Sequence, residues 1–300
     1  MVNPGRFLKP FLEGYMIFLI AFLLVVIAIL LLYRESKLFK ITNYVINSAK
    51  VKNDGFRLVF LSDLHSCIYG ENNIKLLEAI DEQNPDLIIC AGDMIVSGNL
   101  RKMDLTIDFM KKLAAKYKIY FANGNHEYRL KARPEKYDRS YAEFKNELTD
   151  AGIVFLENNS QKVNVKGNLI NIYGIEIDFK YYKHFSKENM PVSYVENLLG
   201  MCDNSQHNWL IAHNPAYSKT YVKWGADVSF SGHFHGGVMR LPVLGGLISP
   251  QFHIFPEYSG DIYKIDDSYA IVSKGIGTHG IPVRIFNRAE IVTVDFNPSK

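Results

Sequence analysis

Short apolar runs, separated by polar segments of helical period, make up most of the chain after residue 55. FRLVFLS (56–62), DLIICAG (86–92), KIYFANG (118–124), NWLIAHN (208–214) and DVSFSG (227–232) are β-branched or aromatic and bounded by Gly, Asn, Asp or Pro. Runs of that length and make-up read as buried strands. Between the first three lie NNIKLLEAIDEQ (72–83) and LTIDFMKKLAAKY (105–117), whose apolar residues recur at helical spacing. The order β-α-β-α-β predicts parallel strands with crossover helices. VNVKGNLINIYGIEI (163–177), YAIVSKG (269–275) and AEIVTVDF (289–296) alternate in the manner of hairpins or meanders. The expectation is a mixed α/β system, two packed sheets flanked by helices.

The N-terminus breaks this pattern. Tyr15 to Tyr33 reads YMIFLIAFLLVVIAILLLY, 19 residues without a charge. As a helix it is roughly 30 Å long, about the hydrocarbon thickness of a bilayer, and both terminal tyrosines would sit at interfaces that favour amphipathic rings. A cleaved signal peptide fits worse, because the stretch is too long and LLYRES lacks a small-residue cleavage site. We therefore expect a flank at 1–14, a single-pass transmembrane anchor at 15–33 in contact with the lipid bilayer, a polar juxtamembrane linker at 34–54 and a catalytic domain at 55–300. Arg6 and Lys9 upstream nearly balance Arg34, Lys37 and Lys40 downstream, so the charge asymmetry selects no side of the membrane.

Composition narrows the classes. At 300 residues, 48% hydrophobic and 22% charged, the chain is globular rather than disordered. Its formal charge of +3 offers no basic stripe, so a nucleic-acid partner is not expected. Cys67, Cys90 and Cys202 form no CxxC pair, which argues against a disulfide framework or a thiolate zinc site. Cys67, two residues past His65, could be a redox-sensitive thiol or a small half-buried loop residue.

Each of the five apolar runs ends in residues that a core would not select. They end in Asp63-Leu64-His65, Gly92-Asp93, Gly124-Asn125-His126-Glu127, His213-Asn214 and Gly232-His233-Phe234-His235, which takes in five of the nine histidines. Singly these are turn or loop signals. Jointly they are specific, because the carboxyl ends of parallel strands converge on one ligand-binding rim. Imidazole, carboxylate and amide oxygen without thiolate suit Mn, Fe or Zn, with Mn weakly favoured. The supply exceeds one tetrahedral site, so two metals sharing a carboxylate are expected, with Asp93 as the bridge. Two dications against two aspartates leave a positive cleft suited to a phosphoryl group and to its hydrolysis.

DLH (63–65), GD (92–93), GNHE (124–127), His213 and GHFH (232–235) together resemble the calcineurin-like metallophosphoesterases, across residues 56–296. HFHGG (233–237) and GIGTHGIPVRIF (275–286) resemble the branch with an N-terminal anchor. The resemblance implies a four-layer α/β/β/α sandwich of two mixed sheets. One metal would lie on Asp63, His65, Asp93 and His235, the other on Asp93, Asn125, His213 and His233. A bridging hydroxide would attack phosphorus, His126 would serve the leaving-group oxygen, and Glu127 would orient His126.

The substrate is less legible, since a fold fixes the bond type better than its owner. EYRLKARPEKYDRSYAEFK (127–145) and DFKYYKHFSKENM (178–190) are expected to border the cleft as a basic, aromatic rim, with Arg129, Arg133, Tyr181, Tyr182 and Phe185 facing a lipid-linked or membrane-proximal phosphate. Both could equally be a solvated helix and a tyrosine-rich loop. Among anchored members of the family, hydrolysis of a UDP-diacylglucosamine-type pyrophosphate is one known activity, and a phosphodiesterase on cell-envelope or glycerophospholipid substrates is as compatible. A membrane-tethered metal-binding scaffold without turnover is the alternative from another class. A secreted metalloprotease would need HExxH, which is absent.

Overall fold

The computed structural model describes residues 5–184, 188–237, 239–241, 244–278 and 284–299, with side chains from residue 13 onward. Helix α1 (Gly5–Glu35) contains the whole apolar stretch; it is long and apolar enough to cross a membrane, and the window that qualifies is not buried against the rest of the protein. Strand β1 (Phe39–Ser48) follows, then β2 (Phe56–Leu61), α2 (Ile74–Gln83), β3 (Leu87–Cys90), α3 (Met103–Ala114), β4 (Ile119–Phe121), α4 (Asn125–Ala132), α5 (Tyr141–Asp150) and β5 (Val154–Phe155). The second half runs β6 (Asn159–Val165), β7 (Asn168–Ile175), α6 (Val192–Leu199), β8 (His207–Ala212), α7 (Ser218–Trp224) and β9 (Val228–Ser231). Two short strands, β10 (Arg240–Leu241) and β11 (Gly245–Gly246), precede β12 (Asp261–Ile265), β13 (Ser268–Val272) and β14 (Ala289–Pro298).

Among the described residues the long strands form two six-stranded sheets, ordered β1-β14-β2-β3-β4-β5 and β12-β13-β9-β8-β7-β6. The period-two alternation of strand side chains explains the layering. Val59 and Leu61 of β2 pack with Leu76, Met110 and Leu148 of the helices, whereas Leu58 and Phe60 of the same strand face Trp209 and Phe230 of the other sheet. The second sheet turns Leu210 and Ala212 to Val195 of α6 and Trp224 of α7. The result is the α/β/β/α sandwich. A strand buried on both faces has no polar side, which is why β3 reads as a continuous apolar run and β2 and β8 do so after their first two residues.

β2, β3, β4 and β5 are mutually parallel, as are β7, β8 and β9, so their carboxyl ends open on the same rim of each sheet. The hairpin expected at 163–177 is β6–β7. AEIVTVDF belongs to no hairpin: β14 lies between β1, to which it is parallel, and β2, to which it is antiparallel.

The linker expected at 34–54 is corrected by the structure. Ten of its residues form β1, paired with β14 from Phe39↔Ala289 to Ser48↔Pro298. It is an edge strand with only Ile46 fully buried, and Asn43 and the run Tyr44-Val45-Ile46 break the alternation that would have revealed it. Thr42 Oγ1 donates to Glu290 Oε2 at 2.7 Å and Tyr44 OH to Asp261 Oδ1 at 3.2 Å, which fastens the segment after α1 to both sheets. At the helix end itself, Arg288 forms a two-pronged pair with Glu35, Nε to Oε1 at 2.7 Å and Nη2 to Oε2 at 2.8 Å.

Candidate metal centre

The rim of the first sheet supplies Asp63 and His65 after β2, Asp93 after β3, and Asn125 and His126 at the start of α4. The second sheet supplies His213 after β8 and the His233/His235 pair after β9. The sheets are stitched together here. His213 Nδ1 lies 2.6 Å from the Ala91 carbonyl oxygen, and the His233 N–H lies 3.1 Å from both Asp63 carboxylate oxygens.

The ring nitrogens and carboxylates then converge. Asp63 Oδ1 is 3.4 Å from His235 Nε2 and 3.7 Å from His65 Nε2. Asp93 Oδ2 is 3.1 Å from His213 Nε2 and 3.9 Å from His65 Nε2. His65 and His235 approach each other Nε2 to Nε2 at 3.0 Å. Three groups, Asp63/His65/His235, His65/Asp93/His126 and Asp93/His213/His233, each bring their ligand atoms within 4.8 Å of one another. His233 Nε2 and Asn125 Oδ1 are buried with no hydrogen-bond partner among the described residues. Buried polar atoms without partners are costly, and here they fit a divalent cation that would complete them.

Five of the seven expected ligands, Asp63, His65, Asp93, His233 and His235, have φ between 49° and 64°. Side chains other than glycine rarely adopt that left-handed region, and such backbone clusters at functional sites. Neighbouring glycines make the packing possible: a Cβ on Gly124 would overlap Asp93 Oδ1, and one on Gly232 would overlap Asp63 Oδ2 and Ser62 Oγ.

A family model for calcineurin-like phosphoesterases matches residues 56–237, more than half of the chain. The chain belongs to that family. An uncharacterized metallophosphoesterase of Bacillus subtilis is 24% identical over 264 residues, covering 86% of each protein. An uncharacterized Aquifex aeolicus metallophosphoesterase is 26% identical over 266 residues, 87% of this chain and 92% of its own length. A zebrafish transmembrane protein with a metallophosphoesterase domain is 27% identical over 250 residues; these span 80% of this chain and 53% of the fish protein. Among solved structures, an archaeal phosphodiesterase is 16% identical, with a TM-score of 0.37 over 73% of this chain and 84% of that one.

As a calcineurin-like phosphoesterase the chain is a metal-dependent phosphoester hydrolase, and the buried carboxylates and imidazoles of the cluster shift one another's titration. Burial raises the Asp63 carboxyl, to about 6, against the pull of His213. Burial acts on Asp93 in the same sense, but His213, His126 and His65 outweigh it and hold that carboxyl well below its ordinary value. For His213 burial favours the neutral ring, yet Asp93 and Asp63 raise it to about 9. Burial and the neighbouring His213 push His233 well below 6.5, which leaves a neutral nitrogen. With Nδ1 of His213 facing a carbonyl, its Nε2 is the atom turned to the cluster.

The structure adds to two expectations. Glu127, expected to orient His126, has both oxygens engaged by backbone: its Oε1 accepts N–H bonds from Met94 and Ile95 at 2.8 and 3.3 Å, and its Oε2 from Asp93 and Gly124 at 2.8 and 3.0 Å. It ties the loop after β3 to the start of α4. Ser97 holds the His126 ring, its N–H donating to Nδ1 at 3.0 Å and its Oγ lying 3.0 Å from the same atom. Ser97 carried no signal in the sequence, since one loop serine looks like another.

Of the expected rim, Tyr181 is buried, with Tyr194 and Tyr217 packed on its ring at 5.1 Å, and is a core residue. Tyr182 does reach the site, 5.1 Å from the His233 ring. Arg129 is half-buried on α4, one turn before Arg133, which lies over the Phe179 ring at 5.2 Å. Lys131 and Arg139 are engaged by Glu157 and Glu176, and by Asp104 and Glu143. Phe185 lies outside the described residues. Cys67 is half-buried, its Sγ beside Thr278.

Proposed function

We propose that the chain is a single-pass, membrane-anchored phosphoesterase that hydrolyses a phosphoester or pyrophosphate bond of a membrane-proximal or lipid-linked substrate. The observation that supports this most is the pair of partnerless buried atoms, Asn125 Oδ1 and His233 Nε2, within a cluster of two aspartates and four other imidazoles. Asp63, His65, Asp93 and His235 would hold one cation, and Asp93, Asn125, His213 and His233 the other. Mn is the first choice for assay. When bound, the two ions supply activated water and neutralise phosphoryl charge.

The protein's own side chains do the rest. Asp93 Oδ2 faces imidazoles of both groups, as a shared carboxylate must. Because the Ser97 N–H occupies Nδ1 of His126, the neutral ring keeps its hydrogen on Nε2, where it can hydrogen-bond to the leaving-group oxygen as negative charge develops there. Tyr182 and Arg129 would line the substrate side. α1, with relatives named as transmembrane proteins, supports the anchor.

The test is hydrolysis of bis-p-nitrophenyl phosphate by the purified full chain with added Mn2+, followed by a panel of lipid pyrophosphates and glycerophosphodiesters. Asp93→Asn should abolish turnover. A metal-loaded, folded protein inactive on every ester would leave a scaffold and end the proposal.

A further inference from the structure

Six large apolar side chains stand exposed on one ribbon of the second half: Leu244, Ile248, Phe252, Ile254, Phe255 and Phe286. Ile254 is 70% and Phe286 80% exposed. Backbone hydrogen bonds lay their segments side by side. The Arg240 N–H donates to Ile285 O at 3.0 Å, Leu247 to Met239 O at 2.8 Å and Phe255 to Leu247 O at 2.9 Å. A contiguous apolar patch of this kind marks a surface that is covered by something.

Both ends of the ribbon have an address. Two residues beyond Phe286, Arg288 grips Glu35, the last residue of α1. At the other end, the Phe252 ring lies 4.8 Å from His184, and Gln251 Nε2 donates to Tyr181 O at 2.9 Å. Tyr182, next along, packs on His233 of the metal cluster. The patch thus extends from the exit of the apolar helix to the lip of the catalytic site. Exposed Arg34, Lys37 and Lys40 flank the same helix end.

We propose that this ribbon lies in the bilayer interface beside α1, so that the domain rests on the membrane with its catalytic mouth at the lipid surface. The helix fixes the height of Glu35, and the Arg288 pair and strand β1 deny the domain a free tether. Phe, Ile and Leu are the residues that partition into the headgroup–acyl boundary, and the three cations favour anionic headgroups. A free-standing domain on a loose stalk would gain nothing from such a face. The inference rests on α1 being an anchor.

The experiment uses the full chain carrying Cys67→Ser and Cys202→Ser, with Ile254→Cys, Phe286→Cys or the distant control Met201→Cys labelled with an environment-sensitive fluorophore. Met201 is 80% exposed in the connection between α6 and β8, before the amino end of the strand whose carboxyl end carries His213. After reconstitution into phosphatidylcholine–phosphatidylglycerol vesicles, labels at 254 and 286 should emit at shorter wavelength, and doxyl lipids should quench them about twofold or more beyond the control. Labels as wet as the control on vesicle-bound protein overturn the proposal. So does shielding that lipid quenchers do not touch, which would mark a second copy of the chain, and so does a chain that fails to float with vesicles. Ile254→Ser/Phe286→Ser should lower turnover of a vesicle-borne phosphoester and spare soluble bis-p-nitrophenyl phosphate. Loss of the soluble activity in the parent chain would instead count against the proposed chemistry.

Discussion

Replacing Glu127 by Gln changes one atom, yet the structure predicts a large effect. The carboxylate is fully buried, and each oxygen accepts two backbone N–H bonds: Met94 and Ile95 on one, Asp93 and Gly124 on the other. Burial and the Asp93 charge raise Glu127 to about 7, while the N–H donors favour the anion. A glutamine can present its oxygen to only one pair, and its NH2 must then confront the other pair, donor against donor. Two hydrogen bonds to a charged acceptor are worth roughly 1.5–3 kcal/mol each, so above pH 7, where Glu127 is the anion, the loss is about 3–6 kcal/mol. Since 1 kcal/mol shifts the melting temperature by about 2–4 °C in a domain of this size, Glu127→Gln should melt at least about 6 °C lower. The same loops carry Asp93 and Asn125, so metal affinity should fall about 10–100-fold. Thermal unfolding in detergent and a Mn2+ titration measure both. A variant within 2 °C of the parent that also keeps its metal affinity would refute the assignment of Glu127 as the tie between the two loops.

The remaining predictions are as direct. Gly232→Ala places a methyl group on Asp63 Oδ2 and Ser62 Oγ, so metal content and activity should both collapse while far-ultraviolet circular dichroism persists; a loaded, active variant contradicts the packing. His126→Ala removes a hydrogen-bond donor to the leaving-group oxygen, so kcat should fall about 10²–10³-fold with metal stoichiometry retained. Parallel loss of metal would instead make His126 a ligand. Burial holds His207 down to about 4, so between that value and 6.5 the unfolded chain takes up a proton that the fold refuses. Stability therefore drops as pH falls through this window, by up to roughly 3 kcal/mol for this group. His207→Leu should flatten that part of the urea-unfolding profile; equal slopes for variant and parent would remove His207 from the account.

What was legible in the sequence follows from burial on both faces. β2, β3, β4, β8 and β9 stand out as apolar runs because no face of theirs meets water, and the polar residues at their ends stand out against that background. The apolar length of α1 is equally a property of composition alone. β1 was hidden because an edge strand keeps polar residues, and it became a strand only when β14, 250 residues later, offered it a partner. Tyr181 and Tyr182 are adjacent and chemically alike, yet one fills the core and the other faces His233, because the short 3-10 helix that carries both (Phe179–Tyr182) turns successive side chains about 120° apart. The partners of Glu127 and His126 were likewise decided in space. Residue types announce that metal-binding chemistry is present; which backbone N–H meets which carboxylate depends on strand ends brought side by side within one sheet, and on two sheets packing face to face. That contact is set by packing, and local sequence does not encode it.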